Sequence, residues 1–297
     1  MASRSKKVLI TGIDGFTGVH LESLLIREGY DVYGLVCPKS RKTTHLVCDI
    51  ADKQDIARAL EAFSPDYLIH LAGISFVPHS DVKQVYDINF FGALNILDAL
   101  VELGQKPAKI ILASSANVYG NPPVEVIDES VCPAPVNHYA ISKLAMEFMA
   151  RTYFDRLNIL ITRPFNYTGV GQGRQFLIPK IISHFKERRE EIELGNLDVV
   201  RDFSDVRFVA EVYRKLMECG SSGETVNICS GAGTSLLQIV RRLNEMTGHE
   251  IKTVKNPEFV RNNEVKTLIG SNTRLLSLIS DQKSYSLEET LRWMLDA

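Results

Sequence analysis

Short apolar runs bounded by turn residues alternate along this chain with longer stretches in which apolar residues recur every three or four positions. Runs of the first kind lie at Lys7 to Thr11, Asp31 to Val36, His45 to Cys48, Tyr67 to His70, Lys109 to Ser114 and Asn158 to Thr162. They are short, and most read as near-continuous apolar segments, as strands do when a parallel sheet buries both their faces. The stretches between them have helical spacing, as in Val19, Leu21, Leu24 and Leu25. Strand and helix alternating through short connections predict an α/β fold of Rossmann type, a doubly wound parallel sheet with helices on both faces. The last third changes character. Leu236 to Thr247 and Leu287 to Leu295 read as helices, each opened by a capping box, Ser235 with Gln238 and Ser286 with Glu289. Short strands are expected between them, around Ile251 to Val254 and Val265 to Leu268, so a smaller C-terminal α/β unit follows the main sheet.

The first strand runs into Gly12, Gly15 and Gly18, three glycines spaced three apart, and then into a helix. Gly12 permits a tight turn, Gly15 lets backbone N–H groups close on a phosphate, and Gly18 lets the helix approach the strand. The helix N-terminus, with its unpaired N–H groups, then faces an anion. This context predicts a dinucleotide site. Residues 1–165, with 205–230 returning to them, are expected to form the dinucleotide-binding domain. Residues 166–204 and 231–297 are expected to bind substrate.

Composition narrows the function classes. The chain has 297 residues, 45% hydrophobic and 24% charged, with a net charge of -2, so no basic field draws it to nucleic acid or an anionic membrane. Five cysteines without a Cys-x-x-Cys indicate neither a disulfide framework nor a zinc site, and no metal-ligand spacing appears among the histidines. With no apolar leader and no membrane-length run, a cytoplasmic protein is expected.

The choice of dinucleotide is read at the second strand. An acidic residue about 20 positions past the glycines would bind the adenosine ribose 2′-OH. Asp31 opens that strand rather than closing it, and Cys37-Pro38-Lys39-Ser40-Arg41-Lys42 follows. Lys39 and Arg41 can pair with a 2′-phosphate, which favours NADP(H). Asp49 and Ile50 close the third strand where an adenine ring would lie, and Leu71-Ala72-Gly73 follow the fourth where backbone must approach the cofactor.

Ser115 follows the fifth strand, and Tyr139 and Lys143 stand four apart at the start of the next helix, on one face. A tyrosine is a poor acid–base group near neutrality, and a neighbouring ammonium is expected to bring its pKa down toward working range. Ser115 can hold a substrate oxygen. The loops after strands one, four, five and six open on the carboxyl edge of the sheet, so Gly12, Gly73, Ser115 and Asn166 are predicted to surround one crevice.

These motifs resemble the extended short-chain dehydrogenases/reductases that act on nucleotide sugars, and the resemblance covers nearly the whole chain. It is carried by Thr11-Gly12-x-x-Gly15-Phe16-x-Gly18, His70-Leu71-Ala72-Gly73, Asn89 with Gly92, Ser115 before Tyr119-Gly120, Tyr139-x-x-x-Lys143 and Arg163-Pro164-Phe165-Asn166. Ser75-Phe76-Val77-Pro78, Leu194-Gly195-Asn196-Leu197-Asp198 and Arg201-Asp202-Phe203 look most like the GDP-mannose branch, above all its 4-keto-6-deoxymannose reductases. The resemblance implies NADP(H) held by Gly12, Asp14, Gly15, Phe16, Thr17, Gly18, Lys39, Arg41, Asp49, Ile50, Leu71, Ala72, Gly73 and Asn89, with Tyr139 and Lys143. It implies Ser115, Tyr139 and Lys143 as the catalytic set, and a GDP-sugar contacted by Ser75, Ser115, Asn117, Asn166 and Lys180. Arg201 and Arg261 would meet the diphosphate and Glu264 the ribose, although Arg261-Asn262-Asn263-Glu264 lacks the proline usual in that loop. The product would be a GDP-deoxyhexose of the kind used for lipopolysaccharide.

Two departures separate neighbours within the branch. Its dehydratases carry Glu where this chain has Asn117, and an amide cannot take the C5 proton. Its epimerising reductase carries Cys there and His at the place of Phe176. Plain ketone reduction is what remains. The alternatives are a C4 epimerase with tightly held cofactor, and a non-catalytic NADP-binding regulator or scaffold. In this family the helices Val82 to Leu103 and Tyr139 to Leu157 pair with their copies in a four-helix bundle. A homodimer is therefore expected, with Ile96, Leu100, Met146 and Met149 in or near the seam.

Overall fold

The computed structural model describes residues 4–38, 40, 45–75, 81–197, 199–259 and 265–297. In chain order the strands are β1 Lys7–Thr11, β2 Asp31–Val36, β3 Leu46–Val47, β4 Tyr67–His70, β5 Lys109–Ala113, β6 Val126–Ile127, β7 Ile159–Pro164, β8 Asn166–Thr168, β9 Glu191–Leu194, β10 Val200–Asp205, β11 Glu224–Ile228, β12 Gly233–Ser235, β13 Lys252–Lys255 and β14 Thr267–Gly270. The helices are α1 Phe16–Arg27, α2 Lys53–Phe63, α3 Val82–Tyr86, α4 Gly92–Glu102, α5 His138–Arg151, α6 Leu177–Lys186, α7 Val206–Glu218, α8 Leu236–Thr247, α9 Thr273–Leu278 and α10 Leu287–Asp296.

Seven strands form one sheet in the order β11-β7-β5-β4-β1-β2-β3, parallel throughout. The side chains of β1 show why its strands read as apolar runs. Val8 and Ile10 join a core with Leu21 and Leu25 of α1 and Val209 and Val212 of α7, while Leu9 joins one with Leu97 of α4 and Met146 of α5. Alternate residues enter opposite cores, so both faces are covered and the chain has the Rossmann-type doubly wound fold.

Register aligns the carboxyl ends. Thr11 lies opposite His70, His70 opposite Leu112, and Leu112 opposite Ile161. The loops that follow β1, β4, β5 and β7 therefore leave the sheet side by side, which is the geometry an open α/β sheet uses to bind ligands.

Past β7 the chain crosses into a second sheet, ordered β12-β10-β14-β6, with β8 paired to the last three residues of β10, Phe203 to Asp205. Asp202 ties it together. Its carboxylate accepts from Ser230 N and Gly231 N, each at 2.8 Å, and from Ser230 Oγ at 2.6 Å. Helices α6, α8 and α10 pack around Ile182, Ile239, Leu243 and Leu291, and β13 pairs with β9 beside them. Both C-terminal capping boxes form as read, at Ser235 with Gln238 and Ser286 with Glu289.

Three expectations need correction. The third strand shrinks from His45–Cys48 to Leu46–Val47, because it forms the sheet's edge and only Leu35 and Val36 pair with it. The helix expected over Val82 to Leu103 is interrupted by a π-helical turn at Asp87–Phe91. Ile96, Leu100 and Met146 are buried in their own subunit's core rather than presented to a partner, because α4 and α5 turn that face to the sheet, and Met149 packs against the same core. The apolar groups these helical segments do expose are Val82, Phe91, Ile141 and Phe148.

Candidate active site

The turn after β1 is built by close approach. Gly12 has φ +68, and a Cβ there would lie 2.8 Å from Ala72 Cα, on the turn after β4. At Gly18 a Cβ would lie 2.4 Å from the Ile13 carbonyl oxygen, so only glycine lets α1 start this near the strand. The N-cap of α1 is Gly15, which offers no side chain to the first turn's N–H groups. Those donors are left for an anion, which is the arrangement a pyrophosphate fits.

A cavity of about 560 Å³ opens beside this turn. Its walls are Gly12, Gly15, Phe16, Thr17 and Gly18 from the first loop, Leu71, Gly73, Ile74 and Ser75 from the loop after β4, and Ser114, Ser115 and Asn117 after β5. Tyr139 and Lys143 enter from α5, and Pro164 to Tyr167 with Gly171 to Gly173, Gln175 and Phe176 close the far side. Among the described lining residues Lys143 alone is charged, and none is Asp, Glu, His or Cys.

Ser115 caps a short 3₁₀ turn. Its Oγ accepts from Asn117 N at 3.2 Å and from Asn117 Nδ2 at 3.1 Å. With two donors already on that oxygen, its own O–H is left to donate, and the Tyr139 hydroxyl is a partner for it. Lys143 is 3% exposed, and its Nζ donates to the Ala113 carbonyl at 2.8 Å. Burial lowers its pKa to about 8, and the charge of Glu147 opposes that fall. Tyr139 departs from expectation. Burial pushes its phenol up to about 12, a hydrogen bond with Ser115 opposes this, and Lys143 is not among the groups that move it. The Lys143 ammonium is engaged with the Ala113 carbonyl, and desolvation of the phenolate wins. Tyr139 is held as a neutral acid.

Asn89 sits in the π-helical turn behind this wall and is fully buried. Its Oδ1 accepts from Ile74 N at 2.8 Å, and its Nδ2 donates to Ser142 Oγ at 3.0 Å, so it braces the cavity rather than lining it. π-Bulges of this kind recur at functional sites. Ala72 is likewise behind the wall, donating its N–H to Thr11 Oγ1 at 3.2 Å.

The structure brings together Gly12, Gly15, Phe16, Thr17, Gly18, Leu71, Gly73, Ser75, Ser115, Asn117, Tyr139, Lys143 and Asn166 from the sequence-derived set. Other members lie off the cavity. Asp14 accepts from Ser40 Oγ at 2.5 Å, which draws the loop after β2 to the glycine turn. Asp49 accepts from Ala51 N at 3.0 Å, and Ile50 packs where Gly92 leaves room for it. Lys180 donates to the Glu193 carbonyl at 2.7 Å with its ammonium 4.4 Å from the Phe259 ring centre, and Arg201 donates to the Val200 carbonyl at 2.9 Å. Lys39, Arg41, Arg261 and Glu264 lie outside the described residues, as do Phe76 to Pro78 and Asp198 of the motifs.

Residues 9–294 match the profile of the GDP-mannose 4,6 dehydratase family. The chain belongs to that family. Among curated relatives, a GDP-6-deoxy-D-talose 4-dehydrogenase of Aggregatibacter actinomycetemcomitans is 34% identical, covering 94% of this chain and 93% of its own. A GDP-6-deoxy-D-mannose reductase of Pseudomonas aeruginosa is 30% identical, covering 98% and 96%. Among solved structures, a Burkholderia cenocepacia protein superimposes with a TM-score of 0.93 at 42% identity, covering 99% of this chain and 98% of its own. The RMD of Pseudomonas aeruginosa complexed with NADPH gives 0.85 at 29%, covering 100% and 98%.

Asn117 and Phe176, the two departures read in the sequence, both line the cavity. Sequence reasoning passed over Ile74, Pro164, Phe165, Tyr167, Gln172, Gln175 and Tyr213 as lining residues. A signal was present for Tyr167, in the run after Arg163-Pro164-Phe165-Asn166. For Tyr213 none was, since it reads as one apolar position on α7.

Proposed function

We propose that this protein is an NADPH-dependent reductase that converts the 4-keto group of a GDP-4-keto-6-deoxymannose-type sugar to an alcohol, giving a GDP-rhamnose-type deoxyhexose. One observation carries the reading: the described cavity holds Ser115, Tyr139 and Lys143 together and contains no carboxylate, imidazole or thiol. Among the described lining residues no carboxylate, imidazole or thiol is placed to remove a carbon-bound proton, which dehydration and C3/C5 epimerisation both require. Reduction needs only a hydride and an acid. The names of the talose dehydrogenase and the mannose reductase relatives support C4 redox chemistry on GDP-sugars.

In this reading the glycine turn and the α1 N-terminus hold the pyrophosphate, and Lys143 orients the nicotinamide ribose. Ser115 donates a hydrogen bond to the sugar carbonyl, and Tyr139 gives that oxygen its proton. A dinucleotide held there would supply the hydride for ketone reduction. NADPH is favoured over NADH because no acidic residue ends β2 and Lys39 and Arg41 follow it, and the RMD neighbour carries NADPH. Arg201, Arg261 and Glu264 are assigned to the diphosphate and ribose of the sugar nucleotide, with residues 166–204 and 231–297 as the substrate unit. A homodimer through α3 to α5 fits the exposed Phe91, Ile141 and Phe148.

The test is NADPH absorbance on mixing with a GDP-4-keto sugar freshly made from GDP-mannose. Consumption with a new GDP-deoxyhexose supports the reading, and no consumption overturns it. A C4 epimerase would instead turn over without added NADPH, and a non-catalytic regulator would show neither.

A further inference from the structure

One turn beyond Lys143, α5 carries a second ionisable group that the reaction above does not use. Glu147 is fully buried. Its Oε1 accepts from Arg163 Nε at 2.9 Å and from Ser114 Oγ at 2.5 Å, and its Oε2 accepts from Arg163 Nη2 at 2.6 Å. Arg163 is 2% exposed and lies over the Tyr119 ring at 4.7 Å, and the Tyr119 hydroxyl donates to Asn227 Oδ1 at 2.8 Å. A buried ion pair of this kind is a poor source of stability, since apolar side chains of the same volume often do as well. Its position suggests another use. Ser114 stands between Ala113, whose carbonyl takes the Lys143 hydrogen bond, and Ser115, whose hydroxyl faces the cavity.

We propose that Glu147 is a positioning residue: its buried carboxylate holds the end of β5 through Ser114 and keeps Lys143 protonated one helical turn away, while Arg163 offsets its charge. For the catalytic consequence this rests on the reductase reading. The titratable groups that interact with the Lys143 charge are Glu147 on its own helix and His70 from β4, while Tyr139 lines the same cavity; His70 stays neutral with its pKa near 3. Facing Glu147 are Lys143, Ser114 just past β5 and Arg163 from β7, with Tyr119 behind the guanidinium. Among the described residues the carboxylate is thus the negative charge set against Lys143, the one cation lining the cavity. It acts on the reacting atoms only through Lys143 and the Ser114–Ser115 backbone.

The experiment titrates Lys143 in the cofactor-free protein by NMR of 13C-labelled lysine side chains, its signal assigned by loss in Lys143→Arg. Glu147→Gln should move the midpoint down by about one unit, a tenfold fall in the ratio of charged to neutral amine. Glu147→Asp, which keeps the charge, should restore most of it. In turnover at pH 9, above both midpoints, Glu147→Gln should lower kcat about tenfold, with KM for the sugar nucleotide within about twofold. Should Glu147→Gln fail to fold because Arg163 is left unpaired, the double variant Glu147→Gln/Arg163→Met removes both charges and should show a smaller fall in the same direction, because the offsetting cation is lost with the carboxylate. An unchanged midpoint in a folded variant overturns the proposal, as does an unchanged kcat. The titration does not depend on which sugar is reduced, so a wild type that consumes no NADPH would sink the reductase reading while leaving Glu147 decided.

Discussion

The Phe16 ring stacks on Tyr167 with centroids 5.8 Å apart and planes 11° from parallel, and the Tyr167 hydroxyl lies 2.7 Å from Thr17 Oγ1. Phe16 and Thr17 open α1, and Tyr167 belongs to β8 next to Asn166. The glycine turn and the strand assigned to substrate are therefore fastened to one another directly. Tyr167→Phe should lose the hydroxyl contact alone, about 1 kcal/mol. Tyr167→Ala should lose the stack as well, about 3 kcal/mol, and weaken NADPH binding several-fold. Urea unfolding and fluorescence titration with NADPH would check both, and equal effects from the two variants would mean that the stack contributes nothing.

A second consequence concerns acid. His70 is wholly buried, with Nδ1 2.7 Å from Thr11 Oγ1 and no partner for Nε2 within the described residues. Burial first, and the charge of Lys143 second, lower its pKa from 6.5 to about 3. Between those values the unfolded chain binds a proton that the folded one refuses, so stability falls as pH drops from about 6.5 toward 3. About 3 kcal/mol should be lost between pH 7 and pH 4 on this account. His70→Gln should flatten that part of the curve in urea unfolding. A variant with the same slope as wild type would remove His70 from the explanation.

Much of the main sheet was legible because buried parallel strands are written as apolar runs, and β1, β2 and β4 fall on the residues read for them. The glycine turn, Ser115, Tyr139 and Lys143 were legible because their spacing has a chemical reason. Other elements carried weaker signals. Strands β8, β10 and β12 are short and mix polar with apolar residues, as in Asn166–Thr168, and their pairing is set by contacts distant in sequence. Glu147 and Arg163 read as ordinary polar positions on a helix and a strand, and only the tertiary fold reveals that both are buried and paired. The pKa of Tyr139 was misjudged for a related reason. Helical spacing gives proximity to Lys143 but not the desolvation that outweighs it.

Lys143 itself should cost the fold stability. Its pKa is lowered from 10.5 to about 8, chiefly by burial. The unfolded chain binds the extra proton between those values, so stability falls as pH drops through that window and stays reduced below it. The charged form at neutral pH is disfavoured by about 3 kcal/mol on that scale. Lys143→Met should abolish turnover and yet raise stability at pH 7 by about 1 to 3 kcal/mol, part of the gain being offset by the lost bond to Ala113. The gain should shrink as pH approaches 10.5. Denaturant midpoints at pH 7 and pH 10 would show it, and a Met variant less stable than wild type at pH 7 would contradict it.

The proton donor Tyr139 and the cation Lys143 should be separable by their pH dependence. Reduction requires Tyr139 with its proton, and its pKa of about 12 supplies that form across the working range. It requires Lys143 charged, and that charge is lost through about pH 8. The profile of kcat/KM reports the free enzyme, so it should be level below pH 7 and fall about tenfold per unit well above 8. Tyr139→Phe should lower turnover by about 10² to 10⁴, the usual contribution of a positioned acid, while NADPH binding stays within a few-fold of wild type. The residual activity of that variant should keep its alkaline fall near pH 8, because the group responsible is Lys143. If the fall disappears with the phenol, the limb belongs to Tyr139, and its pKa in the working enzyme lies near 8 rather than 12. If Tyr139→Phe turns over like wild type, Tyr139 is not the proton donor, and water or Ser115 must deliver the proton instead.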